Sequence, residues 1–459
     1  MHKFVRALFL LLLASSTMHC YGANFYVHKG ASGSNNGSSW SDAWNEMNQI
    51  NFSSVACGDT IWIAGGNYST TLTAAKNCSS GSPLTINRVL ASDNTAAASP
   101  GWSSAFASQV VIASPSGSTG IRLNGINNVV IDGRAGNPSK GTPYGILVQC
   151  TVTSCDGIDD GASNNNYTIQ NVEVYGPSCV MSQSCSGNGA SGVNLPYGGT
   201  GFTYNNVYVH QWGEAFRAAN WVNVTIQKSF IADLHNDNIQ HEDIVYDNGS
   251  PGQAVQNFVL RYNHIWASPN DGIFFDNGSQ NGVYIYGNVV YHSGGALITF
   301  PGRGANPQNV FIYNNVFEND GTFGDYQPGW IYFEGPVSGS MENNVFENVY
   351  INGAPPSATD YNAYNSCGNK DSGAHSFCYT SGTQFVAVNT SNPVLSDWHL
   401  TSAGATTFGK GTILGAPYDV DPDGNNRGAN GAWDVGAYQY GGTSSQAPGA
   451  PNGLTGTAK

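Results

Sequence analysis

Three acidic residues near the middle of the chain share a local context that could support acid–base chemistry. Glu214, Asp237 and Asp271 each stand two residues before an apolar residue of a short hydrophobic segment. If these segments stack on adjacent turns, neighbouring carboxyls lie roughly 5 Å apart and the outer two roughly 10 Å apart. An acid and a base with room for a water molecule between them form the pair used by inverting glycosidases. The pattern therefore predicts hydrolysis of a glycosidic bond, with Asp237 and Asp271 as the central pair and Glu214 in support.

The same carboxylates allow two other interpretations. Oxygen ligands suit Ca2+, so Glu214, Asp237 and Asp271 are also a candidate metal site. Arg217 would then be the base of a β-elimination, and the chain would be a Ca2+-dependent polysaccharide lyase. Alternatively, these acids only cap turns, as Asn-Asp and Asp-Gly pairs commonly do. Hydrolysis requires no cofactor, whereas the lyase interpretation requires Ca2+.

Polar and aromatic residues around these acids are candidates for substrate contacts. Sugar rings stack on exposed aromatic faces, and their hydroxyl and carboxylate groups pair with polar side chains. Arg217 stands three residues after Glu214, so it either binds the substrate or pairs with that carboxylate. The predicted substrate-binding residues are Arg217, Gln240, His235, Arg303, Trp212 and Tyr332.

A repeat explains how such distant residues can be brought together. Short segments rich in β-branched and aromatic residues recur between Asn128 and Asn352, and each ends near an asparagine or serine. The intervals between these polar positions are roughly 23 to 35 residues, which is typical of a solenoid with insertions. Counting eight residues from Asn206, Ser229, Asn263 and Asn288 leads to Glu214, Asp237, Asp271 and Ala296, respectively.

This repeat predicts an all-β, single-stranded right-handed parallel β-helix. One coil cannot bury its own apolar side, but stacked coils form one continuous core. Asparagines at equivalent turns would hydrogen-bond to those above and below as a ladder. An antiparallel sandwich would not explain why a polar residue recurs at the same position of each repeat. At the start of the helix, Ser41-Asp42 followed by Ala43, Trp44, Met47 and Ile50 predicts an N-terminal capping helix.

The two ends of the chain differ from the repeat. The basic residues Lys3 and Arg6 precede an apolar run at 7–14, which predicts a signal peptide over 1–22 and a secreted, extracellular protein. We expect the β-helix domain to span 23–440 and a Gly/Ser/Pro-rich linker tail to span 441–459. Eight cysteines follow the leader in close pairs, which predicts four local disulfides: Cys57–Cys78, Cys150–Cys155, Cys179–Cys185 and Cys367–Cys378.

Composition narrows the possible partners. Charged residues make up 10% of the chain and the net charge is −14, which argues against nucleic acid and anionic membrane surfaces. Hydrophobic residues reach 40%, enough for a large core. We expect a monomer whose partner is an extracellular polysaccharide, with no membrane association after removal of the leader.

Several segments together resemble a known superfamily. NFYVHKGASGSNNGSSWSDAW near the start, GDTIWIAGGNYS, the coil ladder and WDVGAYQY near the end are similar to the pectate-lyase-like superfamily of secreted right-handed β-helix proteins. The resemblance covers nearly all of the chain after the leader, and it implies the fold. That superfamily contains hydrolases, lyases, epimerases and adhesins, so a non-catalytic glycan-binding or adhesive role is a third hypothesis.

One branch of that superfamily adds detail about the acids. Trp212-Gly213-Glu214, Asn236-Asp237 and Asn270-Asp271 resemble the strand-entry aspartates of polygalacturonase-type glycosidases. The chain departs from that pattern in having Glu214 for one aspartate, Asn236 for another, and Asp271 where a histidine is expected. The segment ALITFPGR at 296–303 also lacks the Arg-Ile-Lys that binds galacturonate. The resemblance therefore implies glycosidase chemistry without implying galacturonan.

Overall fold

The chain forms a parallel β-helix, as the repeat predicted. A computed structural model describes residues 22–114, 119–135, 142–150, 155–177, 191–232, 234, 243–247, 254–268, 270–275, 279–300, 306–319, 329–380, 384–388, 396–402, 405–428 and 431–441. In these residues, successive coils pair in parallel to form one 24-stranded sheet and one ten-stranded sheet. We call the ten-stranded sheet the site wall.

The strands are short, and ten successive coils each contribute one strand to the site wall. The wall consists of Leu72–Ala74, Ile121–Leu123, Ile158–Asp160, Ser191–Leu195, Glu214–Ala218, Val245–Asp247, Ile273–Phe275, Ile298–Phe300, Trp330–Phe333 and Tyr350–Gly353. The larger sheet consists of Asn24–Val27, Thr60–Ile63, Gly66–Tyr68, Leu84–Arg88, Val110–Ser114, Asn127–Asp132, Ile146–Cys150, Asn164–Tyr175, Gly199–Thr200, Thr203–His210, Trp221–Val222, Thr225–Gln227, Phe230–Ala232, Ala254–Arg261, His264–Ser268, Ser279–Tyr286, Val289–Ser293, Gln308–Tyr313, Val316–Glu318, Gly339–Glu342, Val345–Glu347, Ala358–Asp360, Ala363–Tyr364 and Phe377–Cys378.

The core lies inside the coils, where equivalent side chains stack. In the site wall, Phe216 pairs with Val193 on one side and Val245 on the other, and all three are fully buried. Alternation along a strand then turns Arg217 outward and Ala218 inward. Near the end of the described chain, Phe385–Ala387 and Asp397–Leu400 pair antiparallel.

The predicted asparagine ladder is confirmed. The Asn288 Oδ1 atom accepts hydrogen bonds of 3.0 Å from the backbone N–H and the side-chain Nδ2 of Asn263. Asn315 bonds to Asn288 in the same way, and the ladder continues through Asn344. Asn206 lies one position before this ladder, in left-handed backbone with φ of 51°, where asparagine is tolerated.

The predicted N-terminal capping helix is wrong. Only a single 3-10 turn forms there, at Met47–Gln49. The backbone of Trp44 exchanges hydrogen bonds with the first strand, donating to Tyr26 O at 3.0 Å and accepting from His28 N at 2.8 Å. This strand-like pairing prevents helical bonding before Met47. The other described helical segments are equally short: the α-helix Asn94–Ala97 and the 3-10 helices Ser104–Ala107 and Cys367–Asn369.

Three of the four predicted disulfides are confirmed: Cys57–Cys78, Cys150–Cys155 and Cys367–Cys378. Cys179 and Cys185, together with most of the predicted leader and most of the predicted tail, lie outside the described residues. Within the described part of the chain, no helix has the length and apolarity needed to span a membrane.

Candidate active site

A line of carboxylates follows the edge of the site wall where its strands begin. Phe216, Val245 and Ile273 are paired on three consecutive rungs, so Glu214, Asp243 and Asp271, each two residues earlier, occupy one position. The backbone agrees, since Ala215 N donates to Asp243 O at 3.2 Å. We call Glu214, Asp243 and Asp271 the acid column. Three successive rungs therefore carry an acid, and the next rung carries Ala296.

The middle member of the column differs from the prediction. Sixteen residues separate Ser229 from Val245, whereas ten separate Asn263 from Ile273. These six extra residues shift the wall strand, so Asp243 occupies the position assigned to Asp237. Asp237 itself lies outside the described residues. The signal for Asp243 was present, because an apolar residue follows it at the same two-residue spacing.

Glu214 is a buried carboxylate held by two neighbours. Its side chain is inaccessible to solvent, and its Oε2 atom accepts a hydrogen bond of 3.0 Å from Ser191 Oγ. The Arg217 Nη1 atom lies 3.7 Å from the same oxygen, so the predicted pairing of these residues is present. The guanidinium also lies over the Tyr246 ring, 5.9 Å from its centroid. The Arg217 side chain remains 28% exposed, so it can still meet an anion from solvent.

Asp243 is completely buried between the other two acids. Its position one rung from Glu214 places the backbones of these two buried acids roughly 5 Å apart along the wall. Removing carboxylates from water and placing them side by side costs free energy. In a chain with 10% charged residues, this arrangement favours a functional reason for the acids.

Asp271 is the partly exposed member of the column. Its Oδ1 atom accepts a hydrogen bond of 2.7 Å from Ala296 N, and its Oδ2 atom accepts one of 3.3 Å from Thr299 Oγ1. Burial raises the pKa of Asp271 to about 6, although both hydrogen bonds act in the opposite direction. A carboxyl that keeps its proton close to neutral pH is suited to donate it to a leaving group.

The line of polar groups extends two rungs beyond Glu214, which the sequence analysis missed. Ser191 takes the equivalent position on the next rung, and Asp156 takes it on the rung after that. The Asp156 carboxylate accepts hydrogen bonds from Ser191 N at 2.9 Å and Asn194 Nδ2 at 3.0 Å. Burial raises the pKa of Asp156. The repeated asparagine and serine positions did not indicate which residues of this coil align with Glu214.

The predicted substrate contacts have different outcomes. Trp212 is fully buried, and its Nε1 atom donates to Val174 O at 3.0 Å. Its indole fills space left by Gly176 and Gly192, so it is a core residue and not an exposed platform for sugars. Tyr332 lies in the outward position of its wall strand and stays partly exposed. His235, Gln240 and Arg303 lie outside the described residues.

Comparison with known proteins reveals similarity of fold alone. No protein-family model matches the sequence, and no curated protein matches it. The crystal structure of pectate lyase Pel9A is 16% identical, with a TM-score of 0.49, over 91% of this chain and 96% of that chain. A rhamnogalacturonan lyase is 10% identical, with a TM-score of 0.43, over 80% and 91% of the two chains. The Dettilon tailspike protein gp208 is 13% identical, with a TM-score of 0.42, over 70% and 62%.

Proposed function

We propose that this chain is a secreted hydrolase that cleaves a polysaccharide bound along the site wall. The observation that carries the proposal is the acid column, in which Glu214, Asp243 and Asp271 occupy one position on three successive rungs. Within it, the environments of the two outer acids differ. Glu214 faces a guanidinium, whereas burial raises the pKa of Asp271 to about 6. Paired carboxyls whose environments separate their protonation states are the usual acid and base of a glycosidase.

The proposed roles follow from those environments. Asp271 donates its proton to the glycosidic oxygen as the bond to the leaving sugar breaks. Glu214 pairs with Arg217 and is inaccessible to solvent in this structure, so it accepts a proton from the attacking water only after its side chain turns toward the groove. Two rungs separate their backbones by roughly 10 Å, close to the ~6.5–9.5 Å between the carboxyls of an inverting pair. Asp243 lies between them and stabilises positive charge that develops on the sugar ring.

The partly exposed Arg217 bears on the class of substrate. A guanidinium next to the proposed acids can pair with a sugar carboxylate through two parallel hydrogen bonds. The proposed substrate is therefore a polysaccharide that contains acidic sugars. The alternative non-catalytic role predicts that such a polymer binds without any release of new reducing ends.

A second candidate is a Ca2+-dependent lyase acting on a uronic-acid polymer. It is favoured by one observation, namely that three oxygen-donor side chains stand on consecutive rungs. Carboxylates suit Ca2+, but among the described residues no three acidic, histidine or cysteine side chains are arranged to hold a metal ion by themselves, so substrate oxygens would have to complete the site. Arg217 would then remove the proton next to the sugar carboxylate. This reaction breaks a C–O bond by elimination and leaves a new C=C bond, so its products absorb ultraviolet light.

The test is a panel of acidic and neutral polysaccharides, with reducing ends and ultraviolet absorbance measured together, with and without chelator. Hydrolysis predicts reducing ends without absorbance and no effect of chelator. Asp271→Asn should then lower the rate at least ~100-fold, since it removes the proton donor. The matched control is Asp132→Asn, at a carboxylate that accepts hydrogen bonds from Gln170 and Asn171 on the larger sheet. Absorbing products lost with chelator would overturn the hydrolase in favour of the lyase.

A further inference from the structure

A cavity of about 460 Å³ lies at the end of the site wall, beyond its last described strand. It is lined by Tyr350, Ile351 and Gly353 of that strand, and by residues within 355–359 and 368–372. This volume falls within the range of roughly 300–1,000 Å³ found for small-molecule sites. The cavity is remote from the acid column and takes no part in the proposed chemistry.

The lining combines an aromatic ring with hydrogen-bonding groups. Tyr350 is 49% exposed and stands beside Ile351 and Pro355. Asn369 and Lys370 face the same space from the opposite side, together with serine and threonine hydroxyls. An apolar ring face with a few polar groups around it binds a sugar ring, whose C–H side is apolar and whose edge carries hydroxyls.

Hydrogen bonds to Asp371 hold the 368–372 part of the cavity lining in place. The Asp371 Oδ2 atom accepts hydrogen bonds from Tyr364 OH at 2.8 Å and Asn362 Nδ2 at 3.0 Å. Its Oδ1 atom accepts from Gly373 N at 2.7 Å, and the Cys367–Cys378 disulfide closes the same segment. A preformed cavity loses little conformational entropy when a ligand binds.

The cavity also continues the surface that carries the acids. Ile273, Ile298, Ile331 and Ile351 are paired in succession, so three rungs, roughly 15 Å, separate the rung of Asp271 from that of Tyr350. Trp330 pairs with Tyr350 on the rung between, and Trp330 is partly exposed. Two aromatic rings, those of Trp330 and Tyr350, therefore lie on the last two rungs of the wall between the rung of Asp271 and the cavity.

We infer that this cavity is a distal subsite that binds one sugar unit of the same polysaccharide chain, stacked on Tyr350. The identity of the polymer rests on the proposed function, whereas the presence of the subsite is a separate claim about binding. Tyr350 supplies the stacking face. The Asn369 Nδ2 atom donates to Val349 O at 3.5 Å and the Lys370 Nζ atom donates to Asp371 O at 2.9 Å, so the remaining N–H groups of these two side chains donate to the sugar edge. A chain anchored here runs back along the wall past Trp330 toward Asp271.

Binding is measured without cleavage in the Asp271→Asn background, by affinity electrophoresis through gels that contain polygalacturonate, alginate, xylan or β-glucan. Tyr350→Ala should weaken retardation about tenfold in each gel that retards the parent variant, since it removes the stacking ring. Tyr350→Phe keeps the ring and should bind as the parent does. The control is Ile413→Ala, at an exposed apolar side chain of the C-terminal segment. Matching melting temperatures for all variants establish that each is folded.

The outcomes separate this inference from the proposed function. Unchanged retardation of Tyr350→Ala, or no retardation of the parent in any gel, overturns the subsite whatever the wild type cleaves. Weakened retardation supports the subsite even if the wild type releases no reducing ends, and in that case only the hydrolase proposal fails.

Discussion

The backbone N–H of Ala296 donates a hydrogen bond of 2.7 Å to the Oδ1 atom of Asp271. The rung that lacks an acid thus supplies the donor that orients the last acid of the column. Thr299 on the same rung adds a second donor. The donor that positions Asp271 is therefore a backbone N–H of the neighbouring rung. A substitution of Asp271 leaves this donor in place.

Asp271 should make stability depend on pH. Its pKa in the folded chain, about 6, lies above the unfolded value of about 3.9, so the unfolded chain releases the proton first as pH rises. Stability is therefore lost between about pH 4 and pH 6, by at most about 3 kcal/mol. Asp271→Asn does not titrate and should be more stable than the wild type at pH 8 but equal to it at pH 4. Urea unfolding at both pH values checks this, and an equal difference at both would contradict it.

The Glu214–Arg217 pair should matter more for stability than a surface ion pair elsewhere in the chain. Arg217→Met leaves the buried Glu214 carboxylate without its guanidinium and should lower the free energy of unfolding by about 1–3 kcal/mol. Lys29→Met is the control, because the Lys29 side chain is 47% exposed where it pairs with Glu46 at the surface. Its loss should stay below about 1 kcal/mol. Equal losses in chemical denaturation would show that burial of Glu214 does not strengthen its dependence on Arg217.

The asparagine ladder should contribute to stability according to burial. Asn288 is fully buried, and its Nδ2 atom donates to Leu260 O at 2.8 Å. Asn288→Ala leaves several buried backbone and amide groups without partners and should cost about 2–4 kcal/mol. Asn281→Ala removes an exposed ladder bond to Asn309 and should cost less than about 1 kcal/mol. Thermal unfolding of the two variants compares them directly, and a similar fall in melting temperature would contradict the prediction.

His399 should stabilise the C-terminal segment only while it is protonated. Its imidazole lies 2.5 Å from Asp397 Oδ1 and 2.8 Å from Asp423 Oδ2, and these carboxylates raise its pKa to about 9 despite burial. Because the folded pKa exceeds the unfolded value of about 6.5, the contribution is complete below pH 6.5 and lost as pH rises through 9. His399→Gln should therefore cost about 3 kcal/mol at pH 6 and little at pH 10. A cost that persists at pH 10 in urea titrations would mean that the imidazole acts through packing.

Residue pattern alone was enough to predict the stacked coils, because each coil repeats a local sequence of β-branched strands and an asparagine turn. The ladder residues from Asn263 to Asn344 could be placed for the same reason. Local spacing also predicted the pairing of three cysteine pairs. Local spacing wrongly predicted a capping helix at the start of the β-helix, because the backbone of Trp44 pairs with the first strand, which the spacing does not show.

The tertiary structure decided which acid completes the column. Asp237 and Asp243 each precede an apolar residue by two positions, so their local sequences are equivalent signals. The pairing of Phe216 with Val245 selects Asp243. The sequence of a wall strand does not show how many residues the preceding loop contains, so the local pattern could not distinguish the two acids. Burial of Trp212 was likewise decided by glycines on neighbouring rungs, whose missing side chains make room for its ring. Composition and repeat determine what kind of wall forms, and the register between coils determines which side chains meet on it.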